Sequence, residues 1–241
     1  MQATSDLYKS IVIDEHTTEV KVVIAGVEYF GENDLFSVRI CGGLFRELSI
    51  GGTASRETDI VFMPKGKIPR GAKIELYIRI LNKVSASEWI PVGTFFFSTR
   101  ETEKMTGIMT VHGCDSMLKT EGTFLNAVYE GHSWPMPAET AVNWIADRIK
   151  VGVDSRTWAE LNPEYRIPCP ITVDEKGNES GSFPTMREVL SGIAVASGGN
   201  WTITPAGKLL LIGLNSQPKP TNYLVTEHGE PILFGDCRIL V

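Results

Sequence analysis

Residues 50–118 read IGGTASRETDIVFMP (50–64), KGKIPRGAKIELYIRI (65–80) and, after a short polar link, EWIPVGTFFFSTRETEKMTGIMTVHGCDSML (88–118). Residues 58–63, 73–81 and 107–112 alternate apolar and polar side chains, and 89–99 does so with one break at Pro91-Val92-Gly93. A period of two over such short lengths, punctuated by glycine, proline and charged turns, predicts antiparallel strands of a small barrel or sandwich. Phe95, Phe96 and Phe97 are consecutive, so this strand sends apolar rings to both of its faces. One face packs a core; the other must meet the helices or a neighbouring subunit.

Upstream, residues 1–19 are mixed and polar and are expected to begin loosely. In 19–30, Val20, Val22 and Ile24 share a face, and Gly26 marks a bend before Val27 and Tyr29. Two further strands are predicted at 35–40 and 44–50 around the Cys41-Gly42-Gly43 corner, followed by a small polar loop at 51–57. Downstream of Lys119 the texture changes. Ala141, Val142, Ile145, Ala146 and Ile149 form a helical stripe in 138–151, with Pro137 suited to its first turn. RTWAEL (156–161) holds one short helix, 171–173 a strand, and 174–181 an exposed loop. Thr185 and Glu188 have capping-box spacing ahead of a second helix to Ser197, which Gly198-Gly199 terminates. Pro184 is a competing first helical position. A hairpin at 200–204 and 208–214 turns over Pro205-Ala206-Gly207 and offers Trp201, Ile203, Leu209 and Leu211 to a core. Gln217-Pro218-Lys219-Pro220 is a linker, and 232–234 and 238–241 regain strand character.

The 241 residues suffice for one large domain or two small ones, and 42% hydrophobic against 22% charged residues indicates a packed core. A net charge of −6 with scattered Lys and Arg argues against nucleic-acid binding, which needs a clustered basic face. No apolar run approaches the roughly 20 residues of a spanning helix, and the first residues lack a secretory pattern. Cys41, Cys114, Cys169 and Cys237 are far apart, form no CxxC pair, and read as free, mostly buried thiols of a reducing cytosol.

Enzyme signatures with proper spacing are missing: no GxSxG, HExxH, P-loop or GxGxxG followed by an acid occurs. The 174–180 loop fails as a calcium loop because Lys176 sits among its few oxygen ligands, chiefly Asp174 and Asn178. His112 and Cys114 are two apart on a strand and share a face, which permits a thiol–imidazole dyad. The competing and preferred reading makes Cys114 core and Asp115 the cap of the following turn. His16, His132 and His228 lie among turn residues without metal-site spacing. Glu101 and Glu103 belong to a solvated turn rather than a facing pair. Trp134, Trp144, Trp158 and Trp201 are read as packing residues before a sugar-binding surface. Asn178 and Asn200 match a glycosylation sequon, which carries no weight without a leader. No catalytic, cofactor-binding or metal residue is assigned.

The "IPRGA" turn, the "IELYIRI" strand, "EWIPVGTFFFSTR" and the strand ending "GCDSMLK" resemble the first barrel of phage tail hub and baseplate proteins. The unit MREVLSGIAVASGGNWTITPAGKLLLIG (186–213) is similar to the α+β domain that follows that barrel. The resemblance implies a mainly β fold with an α+β lobe: a small antiparallel β-barrel related to tail-tube proteins plus a helix–hairpin domain. It divides the chain into a first barrel at 1–118, an α+β domain at 119–221 and returning strands at 222–241 that complete the first barrel, with a truncation before a second barrel. It further implies a non-enzymatic structural subunit of a phage or prophage tail tip, located in the virion and made in the bacterial cytoplasm. Three copies would form a pseudo-hexameric ring continuing the tail tube, contacting tube, distal tail and spike or fibre components. No cofactor, membrane segment or specific nucleic-acid binding is expected, although DNA would pass through the lumen, and the acidic balance of the chain suits a lumen that passes DNA without holding it. The alternative is a cell-wall-targeting enzyme or sugar-binding module associated with a tail.

Overall fold

The computed structural model describes residues 4–31, 33–42, 49–124, 133–173, 179–214 and, near the C-terminal end, 233–234 and 237–238. The chain begins with a helix, α1 (Asp6–Ile13), where the sequence pointed to a loose start. Ser5 caps it by accepting from the Tyr8 amide, and Ser5 is itself tied to the Glu88 carboxylate through both its amide and its hydroxyl. A helix of eight residues is marginal alone. This one stands because Ile11 is buried against the sheet, a tertiary contact that local sequence does not announce.

Seven strands follow: β1 (Thr17–Ile24), β2 (Val27–Phe30), β3 (Leu35–Cys41), β4 (Glu57–Phe62), β5 (Lys73–Leu81), β6 (Ile90–Thr102) and β7 (Met109–Cys114). They form one antiparallel sheet in the order β2-β1-β5-β6-β7-β4-β3. Ala25 and Gly26, both at positive φ (49° and 85°), make the two-residue turn between β1 and β2. Such a turn matches the twist of flanking strands, and glycine takes its second position without strain. The predicted barrel is present as a curled half-barrel, with β2 and β3 as its two edges. Its inner face gathers Val22, Ile24, Tyr29, Ile60, Phe62 and Phe95, among other residues, into one buried core. Tyr29 meets Phe62 edge to face at 4.9 Å. Burying each such side chain contributes about 1.5–3 kcal/mol before entropy is counted.

A 3₁₀ turn (Ser116–Glu121) leaves β7 and enters a second packing unit. It contains β8 (Met136–Pro137), α2 (Ala138–Ile149), β9 (Gly152–Val153), α3 (Thr157–Glu160), β10 (Arg166–Ile167), β11 (Ile171–Val173), β12 (Glu179–Gly181), α4 (Met186–Ser197), β13 (Gly199–Ile203) and β14 (Lys208–Gly213). The predicted stripe of α2 is buried, as are Met186, Val189, Leu190, Ile193 and Ala194 of α4, and both faces join one core with Trp201, Ile203, Leu209 and Leu211 of the β13–β14 hairpin. Met117 already belongs to this second core. The Thr185–Glu188 capping box forms with both of its bonds, so Thr185, not Pro184, holds the cap. Gly198 ends α4 in the left-handed conformation, whereas α2 ends on Lys150 at φ 62°. Thr123 bridges to Thr185 and β9 pairs parallel with β14.

The last two strands, β15 (Leu233–Phe234) and β16 (Cys237–Arg238), pair with each other. The remainder of the predicted returning end, most of the predicted 44–50 strand, the 217–220 linker, His132, His228, and residues 174–178 of the predicted loop lie outside the described residues. The described part of that loop, 179–181, is strand β12 paired with β11. Among the described cysteines Cys114 is buried, while Cys41 and Cys169 are only half-buried, a correction to the expectation of mostly buried thiols.

Candidate functional site

Three regions concentrate chemistry or surface: the outer face of β4 and β7, the joint between the two cores, and the open edges of the sheet. On β4 the residues Thr58, Ile60 and Phe62 point inward, so Glu57, Asp59 and Val61 point outward. On β7 the inward Val111 and Gly113 leave His112 and Cys114 on that same outer face. The ladder sets Glu57 opposite Cys114 and Asp59 opposite His112. The consequence is a line of three groups. His112 Nδ1 lies 2.8 Å from Asp59 Oδ1, and His112 Nε2 lies 3.7 Å from Cys114 Sγ. The sequence brought His112 and Cys114 together; it missed Asp59 and Glu57, whose alternation on β4 was the available signal.

This line has the connectivity of a thiol–imidazole–carboxylate relay, but its electrostatics oppose a thiolate. Burial pushes the Cys114 thiol up, and the Glu57, Asp115 and Asp59 carboxylates push it further, against a single hydrogen bond from Ser98. A reactive cysteine needs the reverse, an electropositive and accessible setting. Asp115 does cap the 3₁₀ turn: its carboxylate accepts from the Met117 and Arg56 amides and the Ser55 hydroxyl. It is buried, and the cost of that burial raises its pKa despite these bonds. Phe96, on the outer face of β6, lies 3.7 Å beneath the Lys119 ammonium, which burial renders less basic. The second face of the triple-phenylalanine strand thus meets the 3₁₀ turn leading to the helical unit.

The joint is made by the segment 49–53. The Gly51 amide donates to Gly199 O, the Trp201 amide to Gly52 O, the Ser191 hydroxyl to Gly51 O and Arg187 Nη1 to Thr53 O. Buried Asn200 accepts from the Gly52 amide and donates to Ser49 O. Its amide is therefore engaged inside the fold, which disposes of Asn200 as a glycosylation acceptor; Asn178 lies outside the described residues. Beside this joint a cleft of about 480 Å³ runs between Arg56 and Pro91 of the sheet side and Thr202, Leu210 and Ile212 of the hairpin. Asp154 and Arg156 also line it, paired at 2.9 Å. The Arg156 hydrogen bonds hold the Asp154 carboxyl down at about 2. His112, Cys114 and Asp115 are not among the residues of this cleft.

The other sequence candidates separate. His16 sits on the exposed surface against Asp14 O. Glu101 and Glu103 are exposed. Trp201 is buried and donates to Leu190 O; Trp144 meets Phe124 edge to face; Trp134 packs on the second core; Trp158 is 37% exposed on α3. The four tryptophans do not share one surface. At the sheet edges Val27, Phe30, Phe36 and Ile40 are exposed, and Phe30, Phe36 and Leu35 line a groove between β2 and β3. No helix among the described residues is long and apolar enough to cross a membrane.

No protein-family model matches the chain. No curated protein matches it either. Among solved structures, the chain is similar to the 43 kDa tail protein of prophage MuSo2 from Shewanella oneidensis, with a TM-score of 0.53 and 12% identity over 87% of this chain and 59% of that one. It is also similar to a tail protein from Neisseria meningitidis MC58, with a TM-score of 0.52 and 16% identity over 85% of this chain and 53% of that one. The chain therefore spans little more than half the length of either. At these identities the likeness is one of fold: a mainly β architecture with a curled sheet and a few helices, shared with tail proteins.

Proposed function

We propose that this chain is a structural subunit of a phage or prophage tail tip or baseplate hub, without catalytic activity. Three copies form a pseudo-hexameric ring that continues the tail tube and contacts tube, distal tail and spike or fibre components in the virion. The division into a barrel at 1–118, an α+β domain at 119–221 and returning strands at 222–241 belongs to the same proposal. The observation that carries it is the fold likeness to two tail proteins over more than four-fifths of the chain. The open sheet adds a physical reason. Among the described residues β2 and β3 each have a strand partner on one side only, and Val27, Phe30, Phe36 and Ile40 add apolar surface beside them. Such edges invite pairing with another chain.

The alternative, a cell-wall-acting enzyme, draws on the Asp59–His112–Cys114 line. The buried, carboxylate-surrounded thiol weighs against it. Light scattering over a concentration series tests the ring. The expected result is a concentration-dependent trimer that F30K/F36K abolishes without changing the far-ultraviolet circular dichroism. A chain that stays monomeric throughout refutes ring assembly through these edges. Cleavage of purified cell wall that H112A abolishes would establish the enzyme instead.

A further inference from the structure

We propose that Glu57, His112 and Cys114 form a binding site for a thiophilic divalent cation of the zinc class on the outer face of the curled sheet. The site is built by strand register. Glu57 faces Cys114 and Asp59 faces His112 across the β4–β7 ladder, so four donor side chains occupy the corners of one patch. One donor atom from each of Glu57, His112 and Cys114 lies within 4.8 Å of the others. A tetrahedral zinc ion with Zn–S of about 2.3 Å and Zn–N of about 2.0–2.1 Å sets sulfur and nitrogen about 3.6 Å apart. Here Cys114 Sγ and His112 Nε2 are 3.7 Å apart. The Glu57 carboxylate lies within 4.8 Å of both other donors, and turning its side-chain torsions brings its oxygen into the coordination sphere.

Asp59 supplies the orienting partner. Its Oδ1 takes the Nδ1–H of His112 at 2.8 Å, which fixes the tautomer and turns the Nε2 lone pair toward Cys114. A carboxylate–histidine pair of this kind is the usual support of a metal-ligating imidazole. The mixed sulfur, nitrogen and oxygen donor set selects zinc-like ions over calcium and magnesium, which take oxygen ligands. Glu57 and Asp59 set two carboxylates on the same face as the thiol, which attracts a cation, and the thiol gives up its proton to solvent as the ion binds. Three protein ligands leave one position, which water fills on this half-exposed face.

The location gives the site a purpose. Glu57 opens β4, separated by three residues from the segment 49–53 that docks on the helical unit, and Cys114 closes β7 immediately before the turn capped by Asp115. An ion there clamps the entry and the exit of the chain at the joint between the two cores. The clamp requires neither the ring nor any tail role.

Cobalt(II) titration of the chelator-treated whole chain tests this. One equivalent is expected to give a thiolate-to-cobalt charge-transfer band, displaced by zinc, and zinc is expected to raise the thermal midpoint. C114S is expected to abolish the band, while C41S, C169S and C237S retain it. D59N, which leaves all three ligands in place, is expected to weaken binding about 10–100-fold. E57Q is expected to weaken it as well. Both surface variants keep the question answerable if C114S fails to fold. Absence of the band at one equivalent overturns the site, as does its loss in C41S or C169S. Zinc affinity unchanged in both D59N and E57Q also overturns it.

Discussion

Replacing Asn200 by alanine probes the joint at its most buried polar contact. The side chain is 1% exposed and spans two backbone groups, accepting from the Gly52 amide and donating to Ser49 O at 2.9 Å. In N200A the two losses differ. Ser49 is exposed, so water replaces the amide at its carbonyl and the net loss there is about 0.5–1 kcal/mol. The Gly52 amide is half-buried against the helical unit, and leaving it unpaired costs about 1–3 kcal/mol. The total is about 1.5–4 kcal/mol, a large part of the roughly 5–15 kcal/mol that holds a typical domain folded. Much of this falls on local opening, because the lost bonds tie one short segment. Hydrogen exchange read by mass spectrometry is the suitable assay. At about 2 kcal/mol, exchange of peptides covering 49–53 and 199–201 accelerates roughly 30-fold, while β5 and β6 are unchanged. N200D sharpens the test. It keeps an acceptor for Gly52 but turns an oxygen toward the Ser49 carbonyl, so its penalty is small when the new carboxyl is protonated and grows as pH rises above the carboxylate range. Stability of N200A within about 0.5 kcal/mol of wild type, with unchanged exchange at 49–53, would refute the claim that this amide holds the joint.

Gly51 has φ +91°, and a Cβ there would sit 2.6 Å from Val195 Cγ2, so G51A is expected to loosen the same peptides by both strain and clash; V195A partly rescues it if the clash dominates. D115N is expected to lower stability by about 1–3 kcal/mol in urea titration, because one of its three donors loses an acceptor. The folded pKa of Asp115 is raised, so its contribution is complete below the ordinary carboxylate pKa and declines as pH rises through the folded value. The gap between wild type and D115N should therefore narrow on that rise. Asp154 runs the opposite way: its pKa is lowered to about 2, so its pairing with Arg156 stabilises above the ordinary value and fades as pH falls toward about 2. In R156A the Asp154 carboxyl should titrate nearer its ordinary range by ¹³C NMR; the exposure of Arg156 keeps the accompanying stability change small.

The sheet was legible where alternation is clean. β4, β5 and the start of β6 sort inward and outward as their sequence does, because a strand with one buried face obeys a period of two. The helices were legible for a related reason. Thr185 and Glu188 satisfy each other within one turn, and Gly198 needs no distant contact to stop α4. What escaped is whatever depends on distant residues. Helix α1 needs Glu88 and the sheet beside it. The segment 49–53 reads as the end of a strand running into an unremarkable polar loop, yet its carbonyls and amides are held by Arg187, Ser191 and Asn200, all more than 130 residues away.

The His112–Cys114 patch shows where that boundary lies for chemistry. Spacing of two on one strand placed the imidazole and the thiol together, and that much followed from the pleat alone. Spacing could not say which strand lies alongside, and the neighbour decides what the pair can do. Had β4 offered lysine or arginine opposite Cys114, the thiolate would be favoured and a nucleophile would be the natural reading. It offers Glu57 and Asp59, so the thiol is held protonated beside an oriented imidazole: unsuited to attack a carbonyl, and a ligand only to a cation that displaces its proton to solvent. The function class of this patch thus turns on a register between residues more than fifty positions apart. Substituting Glu57 and Asp59 changes its chemistry without touching either residue that the sequence brought forward.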